Sequence, residues 1–326
     1  MLIFPTDFPE RKCNKNLPEQ TIKFIGREYY LNQIQNLFKN NQIIAILGYG
    51  GLGKTTLALE YSNRLIVKDS NSHIRWFHAD SVDTFEIEYK RLSKLLDINV
   101  NDNDIDFIIQ KTNMRLKGFT KNILFIFDNL ECFSYIKNYI KGLPKHVKIL
   151  ITTRAQPNSI DAPKIELLEI EPFNLNEAVY YIKKNLDKNI TDDNMNRILE
   201  LAKSTNKQIL PIKLEKIISY MNFYYIKGIE KSLEDIERAK YHHNQVEYTL
   251  FLDLKTENIE AFEILQYCSA LNPDFISFDL LLELAYDDEE NERILQDEIS
   301  LLNKLSLVSI IKKNDKNGVK IHRLAC

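Results

Sequence analysis

Cysteine is scarce in this sequence, which has only four thiols in 326 residues. The four lie far apart, no two have the CxxC spacing of a zinc site, and they do not form the dense pattern of a disulfide framework. We interpret them as plain buried or surface thiols of a protein from a reducing compartment, the cytoplasm. They are Cys13, Cys132, Cys268 and Cys326.

Long apolar runs and a large excess of one charge are also missing. No apolar run approaches the roughly 18 residues that span a bilayer. The apolar start of the chain, which Pro5 and Pro9 interrupt, is too short for a signal peptide. The formal net charge of -3 gives no basic footprint for nucleic acid or for an anionic membrane. We therefore expect no membrane partner, and the charge argues against a nucleic-acid partner.

The residues that are present have a globular composition, with 44% hydrophobic and 27% charged side chains, and the length suffices for two or three domains. Residues 1–20 contain three prolines and a basic patch, which predict an irregular arm. Over residues 21–171, short apolar strands alternate with amphipathic helices, and this alternation predicts an α/β fold with a parallel sheet. The predicted strands are 42–48, 73–79, 123–127, 146–154 and 164–170, and the predicted helices are 54–65, 84–96 and 105–116.

The pattern changes after residue 171, where strands give way to helices. Three amphipathic segments predict an all-α helical domain over residues 172–243, and its polar stretch at 230–245 is predicted to be a linker. Three further helices and a closing hairpin with its turn at 314–318 predict a winged-helix domain over residues 244–326.

A glycine-rich stretch, GYGGLGKT, occupies residues 48–55 directly after a predicted strand and at the start of a predicted helix. It fits the pattern G-x-x-x-x-G-K-[ST], in which backbone N–H groups and a helix N-terminus bind phosphate oxygens. We expect Lys54 to reach the β- and γ-phosphates and the Thr55 hydroxyl to bind Mg²⁺. Thr56 is more typical of a helix start. The predicted phosphate-loop residues are Gly48, Gly50, Gly51, Leu52, Gly53, Lys54, Thr55 and Thr56.

The stretch ILFIFDNLE, residues 123–131, places one carboxylate at the end of a buried strand. We expect Asp128 to complete the Mg²⁺ site with Thr55. A hydrolytic enzyme would often carry a second carboxylate here to activate a water, but the next residue is Asn129. Glu131 is the nearest alternative, and we interpret it as a solvated loop residue. This pattern favours a protein that holds nucleotide and hydrolyses it slowly.

These and other short motifs occur in a fixed order from residue 24 to the C-terminus. They are FIGRE, GYGGLGKTT, IRWFHAD, FIFDNLE, ILITTR, LEIEPFNLNEAVYYI, ILPIKL and IHRL. In this order the chain resembles the NB-ARC group of STAND NTPases, the signalling switches of plant resistance proteins, apoptosome-type adaptors and bacterial regulators. The resemblance implies a P-loop NTPase sheet followed by a helical and a winged-helix domain, with ATP or ADP and Mg²⁺ as ligands.

The resemblance also implies roles for residues near the base and the phosphates. Ile25 would offer backbone contacts to adenine, and Arg27 would lie near the nucleotide. Arg154 resembles the sensor arginine of the family, and a guanidinium at a strand end can contact a γ-phosphate with two hydrogen bonds. Together with Lys54 and Asp128 it would form the catalytic set.

Two further residues are assigned by the resemblance alone. Pro211 matches the proline that packs on adenine, although Ile209 replaces the glycine of that motif. His322 matches the histidine that contacts the β-phosphate of ADP and ties the last domain to the nucleotide, with Arg323 in place of the family's aspartate. Trp76, the only tryptophan, is predicted to be core packing.

Three functions remain open at this stage. The resemblance favours a nucleotide switch in which ADP holds a closed state, and ATP exchange permits opening and homo-oligomerisation. A winged-helix transcription regulator is an alternative, but residues 279–298 are densely acidic, with Arg293 the only Arg or Lys among them. A rapid stand-alone ATPase is the third, and no arginine-finger motif supports it. The short leading segment and the end at IHRLAC also allow a truncated core, whose sensor or effector domains lie on a missing segment or another protein.

Overall fold

The computed structural model describes residues 17–18, 24–69, 72–101, 104–155, 165–186, 190–204, 206–224, 228–239, 245–271, 275–286, 291–305, 307–313 and 316–321. These residues fold into two compact units, one made mainly of Arg27–Glu171 and the other mainly of the chain from Pro172 onward. None of the described helices combines the length and the apolar content that crossing a bilayer requires. The arm at residues 1–16, Cys326, His322, Arg323 and the turn residues 314–315 lie outside the described part.

The first unit is an α/β structure around a five-stranded sheet. Its elements are α1 (Glu28–Asn40), β1 (Ile43–Leu47), α2 (Lys54–Lys68), β2 (His73–His78), α3 (Val82–Leu95), α4 (Ile105–Lys117), β3 (Ile123–Leu130), α5 (Lys137–Ile140), β4 (Val147–Thr153) and β5 (Ile165–Glu169). The strand order is β2-β3-β4-β1-β5, and every pairing is parallel. The predicted parallel sheet is confirmed.

The central strands are apolar along their length because helices cover both faces of the sheet. All five residues of β1 are buried, and the first six of β3 are buried as well. Trp76 on β2 is 1% exposed, which confirms its predicted place in the core. Strand β4 lies between β1 and β3, so the carboxyl ends of these three strands are neighbours at one edge of the sheet. That edge is where α/β proteins bind ligands.

The second unit consists of helices and a small sheet. Its elements are α6 (Leu175–Asn185), α7 (Asp192–Leu201), α8 (Pro211–Phe223), α9 (Gly228–Arg238), α10 (Gln245–Glu257), α11 (Ile259–Ala270), β6 (Ile276–Ser277), α12 (Phe278–Ala285), α13 (Glu292–Lys304), β7 (Val308–Lys313) and β8 (Lys316–Ile321). The strands are antiparallel in the order β6-β8-β7. One hydrophobic cluster runs through this unit from Phe173 to Ile321.

The prediction of a polar linker at residues 230–245 is wrong over most of that stretch, because α9 occupies Gly228–Arg238. Leu233 and Ile236 are fully buried, and these two residues are enough to anchor one face of a short helix. The guanidinium of Arg197 on α7 binds two carboxylates of α9, those of Glu230 and Glu237. Helix α10 was also not predicted. The three helices and the closing hairpin expected after it are present, with β6 in addition.

Candidate phosphate and magnesium site

The glycine-rich loop joins β1 to α2, as the motif requires. Gly51 and Gly53 have φ angles of 81° and 84°, in the left-handed region that glycine adopts without strain. Gly53 is the N-cap of α2, and its carbonyl accepts the first helical hydrogen bond, from the Leu57 N–H. The loop therefore turns sharply at the start of the helix, where backbone N–H groups are available to an anion.

The Lys54 side chain folds over this loop. Its ammonium donates hydrogen bonds to the carbonyls of Gly48 at 2.6 Å and Tyr49 at 2.8 Å. Burial, together with the positive charge of Arg154, lowers the pKa of Lys54 to about 8, although the negative charge of Asp128 acts in the opposite direction. The protein alone therefore does not fully offset the free-energy cost of burying this positive charge, and a bound polyanion would offset it.

Asp128 is 4% exposed and lies near the carboxyl end of β3. Its Oδ1 accepts hydrogen bonds from the hydroxyls of Thr55 at 2.8 Å and Thr152 at 2.6 Å. A hydroxyl and a carboxylate are hard oxygen donors, so Thr55 and Asp128 suit Mg²⁺, with water and phosphate as the remaining ligands. Among the residues that the structure describes, no group of three or more His, Cys, Asp or Glu side chains offers another metal site.

The strand that carries Asp128 is irregular directly after it. The pairing of β3 with β4 shifts register between Phe127 and Leu130, and Asn129 has a φ of 61°. Asparagine tolerates this left-handed conformation better than most residues. The Asn129 N–H donates to Thr152 Oγ1 at 2.8 Å. Asn129 is thus held by a hydrogen bond from its main-chain N–H, and asparagine suits the left-handed conformation at this bulge.

Arg154 directly follows β4 and lies against the loop. A Cβ atom built on Gly50 would be 3.0 Å from a terminal nitrogen of the Arg154 guanidinium. Lys54 and Arg154 therefore place two cations beside one glycine-rich turn. Such a pair repels unless an anion lies between or beside the charges, and the triphosphate tail of a nucleotide is an anion of suitable charge.

The structure brings together Lys54 and Thr55 at the start of α2, Asp128 near the end of β3, and Arg154 directly after β4. The resemblance also assigns residues near the nucleotide and its base. Arg27 is 7% exposed and has a φ of 62°, with its guanidinium carbon 5.2 Å from the centre of the Tyr30 ring, so it is not a surface residue.

The remaining assigned residues belong to the second unit or fall outside the described part. Ile25 packs against the hydrophobic cluster of the second unit. Pro211 is the first residue of α8, and His322 is not among the described residues.

Sequence reasoning missed Thr152 altogether. The only signal was that two hydroxyl residues precede the arginine in ILITTR. Thr152 lies 24 residues from Asp128 in sequence, and only the pairing of β3 with β4 makes them neighbours.

Comparison with known proteins gives one family and several partial relatives. The model of the NB-ARC domain matches residues 27–184. A nucleotide-binding leucine-rich repeat (NLR)-like protein of Hyaloscypha variabilis is 34% identical over 107 residues, which is 30% of this chain and 11% of that protein. The transcription activator GutR of Bacillus subtilis is 30% identical over 160 residues, which is 44% of this chain and 19% of GutR. The aligned segments therefore span less than a fifth of either relative.

The solved structures that superpose on this chain are distant. The Walker-type ATPase PABY2304 of Pyrococcus abyssi superposes with a TM-score of 0.44 at 12% identity, covering 94% of this chain and 96% of that one. AMPPCP-bound DnaA from Aquifex aeolicus gives a TM-score of 0.39 at 13% identity, covering 86% and 90%.

The matched range contains all five parallel strands, the glycine-rich loop, Asp128 and Arg154. Residues 27–184 of this chain therefore form an NB-ARC domain, a nucleotide-binding core.

Proposed function

We propose that this chain is the core of an adenine-nucleotide switch that binds ADP or ATP with Mg²⁺ and hydrolyses ATP slowly. One observation carries the proposal. Lys54, Thr55, Asp128 and Arg154 converge at the carboxyl ends of three neighbouring strands, beside a glycine turn at a helix N-terminus. Two cations, a carboxylate and a hydroxyl in this arrangement suit a magnesium-bound polyphosphate.

Each of the four side chains has a separate task in this proposal. The Lys54 ammonium exchanges its bonds to the loop carbonyls for bonds to phosphate oxygens. Thr55 and Asp128 would hold Mg²⁺, which would supply positive charge to neutralise the phosphates. Arg154 lies outside the loop and contacts the terminal phosphate, so it distinguishes ATP from ADP.

Slow hydrolysis follows from the residue after Asp128. An efficient hydrolytic site needs a base or a group that orients the attacking water. Asn129 can orient a water but cannot accept its proton. Glu131, the nearest alternative carboxylate, is exposed in the loop beyond β3. The site therefore holds ATP far longer than a rapid ATPase would.

The conformational part of the proposal rests on the family resemblance. Contacts of Ile25 and Pro211 with adenine, and of His322 with the β-phosphate of ADP, would join the second unit to the nucleotide and close the protein. Exchange for ATP would release that contact and allow opening and homo-oligomerisation in the cytoplasm. Sensor or effector parts would lie on another segment or another protein.

Transcriptional regulation is a second candidate. A partial relative is described as a transcription activator, and the last part of the chain has three helices, a short strand and a hairpin. Against direct DNA contact by this part, α12 and α13 carry acidic side chains, which phosphate would repel. Those described there are Asp279, Glu283, Glu292, Asp297 and Glu298.

The proposal is tested on the purified protein by acid extraction and chromatography of any bound nucleotide, followed by steady-state ATP turnover. We expect co-purified ADP and turnover below about one per minute, the range of unassisted nucleotide switches. Sustained turnover far above that rate would overturn the switch and favour a rapid ATPase. Failure to bind ADP or ATP with Mg²⁺ would overturn the nucleotide assignment as well.

A further inference from the structure

Thr152 on β4 contacts Asp128, the acidic residue of the site, from the neighbouring strand. Its side chain is 1% exposed. The hydroxyl donates to Asp128 Oδ1 at 2.6 Å and accepts from the Asn129 N–H at 2.8 Å. We infer that Thr152 is a positioning residue, which fixes the Asp128 carboxylate in the orientation that Mg²⁺ requires. The inference rests on the proposed function, since it concerns the metal of that nucleotide site.

The argument begins with the number of bonds that Asp128 makes. Its Oδ1 receives two hydroxyls, from Thr55 and from Thr152. The motif assigns the Thr55 oxygen to Mg²⁺, so the metal sets the position of that side chain when it binds. The terminal torsion of an aspartate is broad. The bond from Thr152 comes from a side chain that no metal holds, so it fixes the carboxylate plane with or without Mg²⁺.

The position of Thr152 suits this task. Its β-branched side chain has restricted χ1 freedom on a strand, and β4 lies between β1 and β3 in the sheet. A threonine hydroxyl has one donor and two acceptor sites. Here the donor is used on Asp128 and an acceptor site on Asn129, so one group fixes both the carboxylate and the bulge that follows it.

Thr153 provides a matched control within the same strand. It is also 1% exposed, and its hydroxyl makes the same number of bonds. It donates to the Leu130 carbonyl at 2.6 Å and accepts from the Ala155 N–H at 2.9 Å. Both partners are main-chain groups, so loss of this hydroxyl removes comparable hydrogen bonding without touching Asp128.

The experiment measures binding of the fluorescent nucleotide mant-ADP to the whole chain, over a series of Mg²⁺ concentrations and in EDTA. Thermal unfolding of each variant is followed in parallel. We expect Thr152→Val to raise the Mg²⁺ concentration for half-maximal binding roughly 10- to 100-fold, the usual effect of losing a hydrogen bond to a metal ligand. Affinity in EDTA should stay at the wild-type value. Thr152→Ser, which keeps the hydroxyl, should restore the wild-type midpoint.

Thr153→Val should lower the unfolding temperature and leave the Mg²⁺ midpoint unchanged. Equal midpoints for Thr152→Val, Thr153→Val and wild type would overturn the inference, and so would an equal shift in both valine variants. If Thr152→Val does not fold, Thr152→Cys replaces it, because the thiol is nearly the same size but a weak donor. A wild-type midpoint in that variant would likewise overturn the inference. Absence of mant-ADP binding by wild type would instead overturn the proposed function.

Discussion

Gly50 and Arg154 lie close together at the site, and a side chain on the glycine would press against the guanidinium. A Cβ atom at Gly50 would lie 3.0 Å from one terminal nitrogen of the guanidinium and 3.2 Å from its central carbon. Gly50 is not among the residues with a positive φ, so this close approach, and not backbone conformation, favours glycine here. The phosphate loop and the proposed sensor arginine therefore constrain each other.

Gly50→Ala should displace Arg154 without unfolding the protein, because the clash falls on the end of a flexible, exposed side chain. We expect ATP affinity to fall roughly tenfold relative to ADP affinity, the effect of one lost charge-assisted hydrogen bond. Competition of ATP and ADP against mant-ADP measures the ratio. Arg154→Ala should give the same ratio, and a wild-type ratio in both variants would contradict the sensor role.

Lys54→Ala should abolish nucleotide binding. The ammonium is the group that can reach phosphate oxygens, and it already lies on the loop carbonyls of Gly48 and Tyr49. Mant-ADP titration with Mg²⁺ measures the loss. Lys68→Ala, at the exposed end of the same helix, serves as the control and should bind as wild type does. Micromolar or tighter affinity in Lys54→Ala would count against the phosphate-loop assignment.

Nucleotide binding should weaken as the pH rises above 8. Burial, with the charge of Arg154, lowers the pKa of Lys54 from 10.5 to about 8 in the folded chain, so the lysine loses its proton above that pH. Binding needs the charged form, and the apparent affinity should therefore fall by up to about tenfold per pH unit above 8. Mant-ADP titrations at pH 7 to 10 test this, and constant affinity over that range would contradict it.

The same shift predicts how the stability of the nucleotide-free protein changes with pH. A lysine whose pKa is lower in the folded state binds fewer protons there than in the unfolded chain, so its charge opposes folding below pH 8. The free energy by which this charge destabilises the folded state decreases as the pH rises from 8 to 10.5. Comparison of urea unfolding of wild type and Lys54→Met at several pH values isolates this contribution.

Asn129→Asp should raise ATP turnover if the missing carboxylate limits hydrolysis. Aspartate also tolerates a left-handed backbone, so the bulge and the N–H bond to Thr152 should be kept. Phosphate release at saturating ATP measures the rate, and unchanged nucleotide affinity would show that the site is intact. An unchanged rate would place the limitation in the closed arrangement of the protein instead of in residue 129.

Asn129→Val should destabilise the protein by about 1–2 kcal/mol, because a β-branched residue is strained at a φ of 61°. Asn129→Gly adopts this φ without strain and serves as the matched comparison. Urea unfolding measures both variants. If valine and glycine gave equal stability, the conformation of residue 129 would not be what favours asparagine here.

Much of the first unit could be predicted from the sequence because its signals are local. The strands are nearly continuous apolar runs, and the glycine spacing of residues 48–55 specifies a turn between a strand and a helix. The helix α9 was not predicted, because charged residues separate its few apolar residues, such as Leu233 and Ile236, and such a pattern is typical of a linker. The partners that bury those residues lie on other helices, and a local pattern does not contain them.

The sequence by itself determined where phosphate and metal chemistry could occur, since Lys54, Thr55 and Asp128 are identified by their neighbours in the chain. The tertiary structure decided how Asp128 is held. The sheet order places β4 beside β3, and this pairing brings Thr152 to the carboxylate and to the Asn129 N–H. Strand order depends on packing among distant segments, so the residue that orients the carboxylate could be recognised only once the sheet was formed.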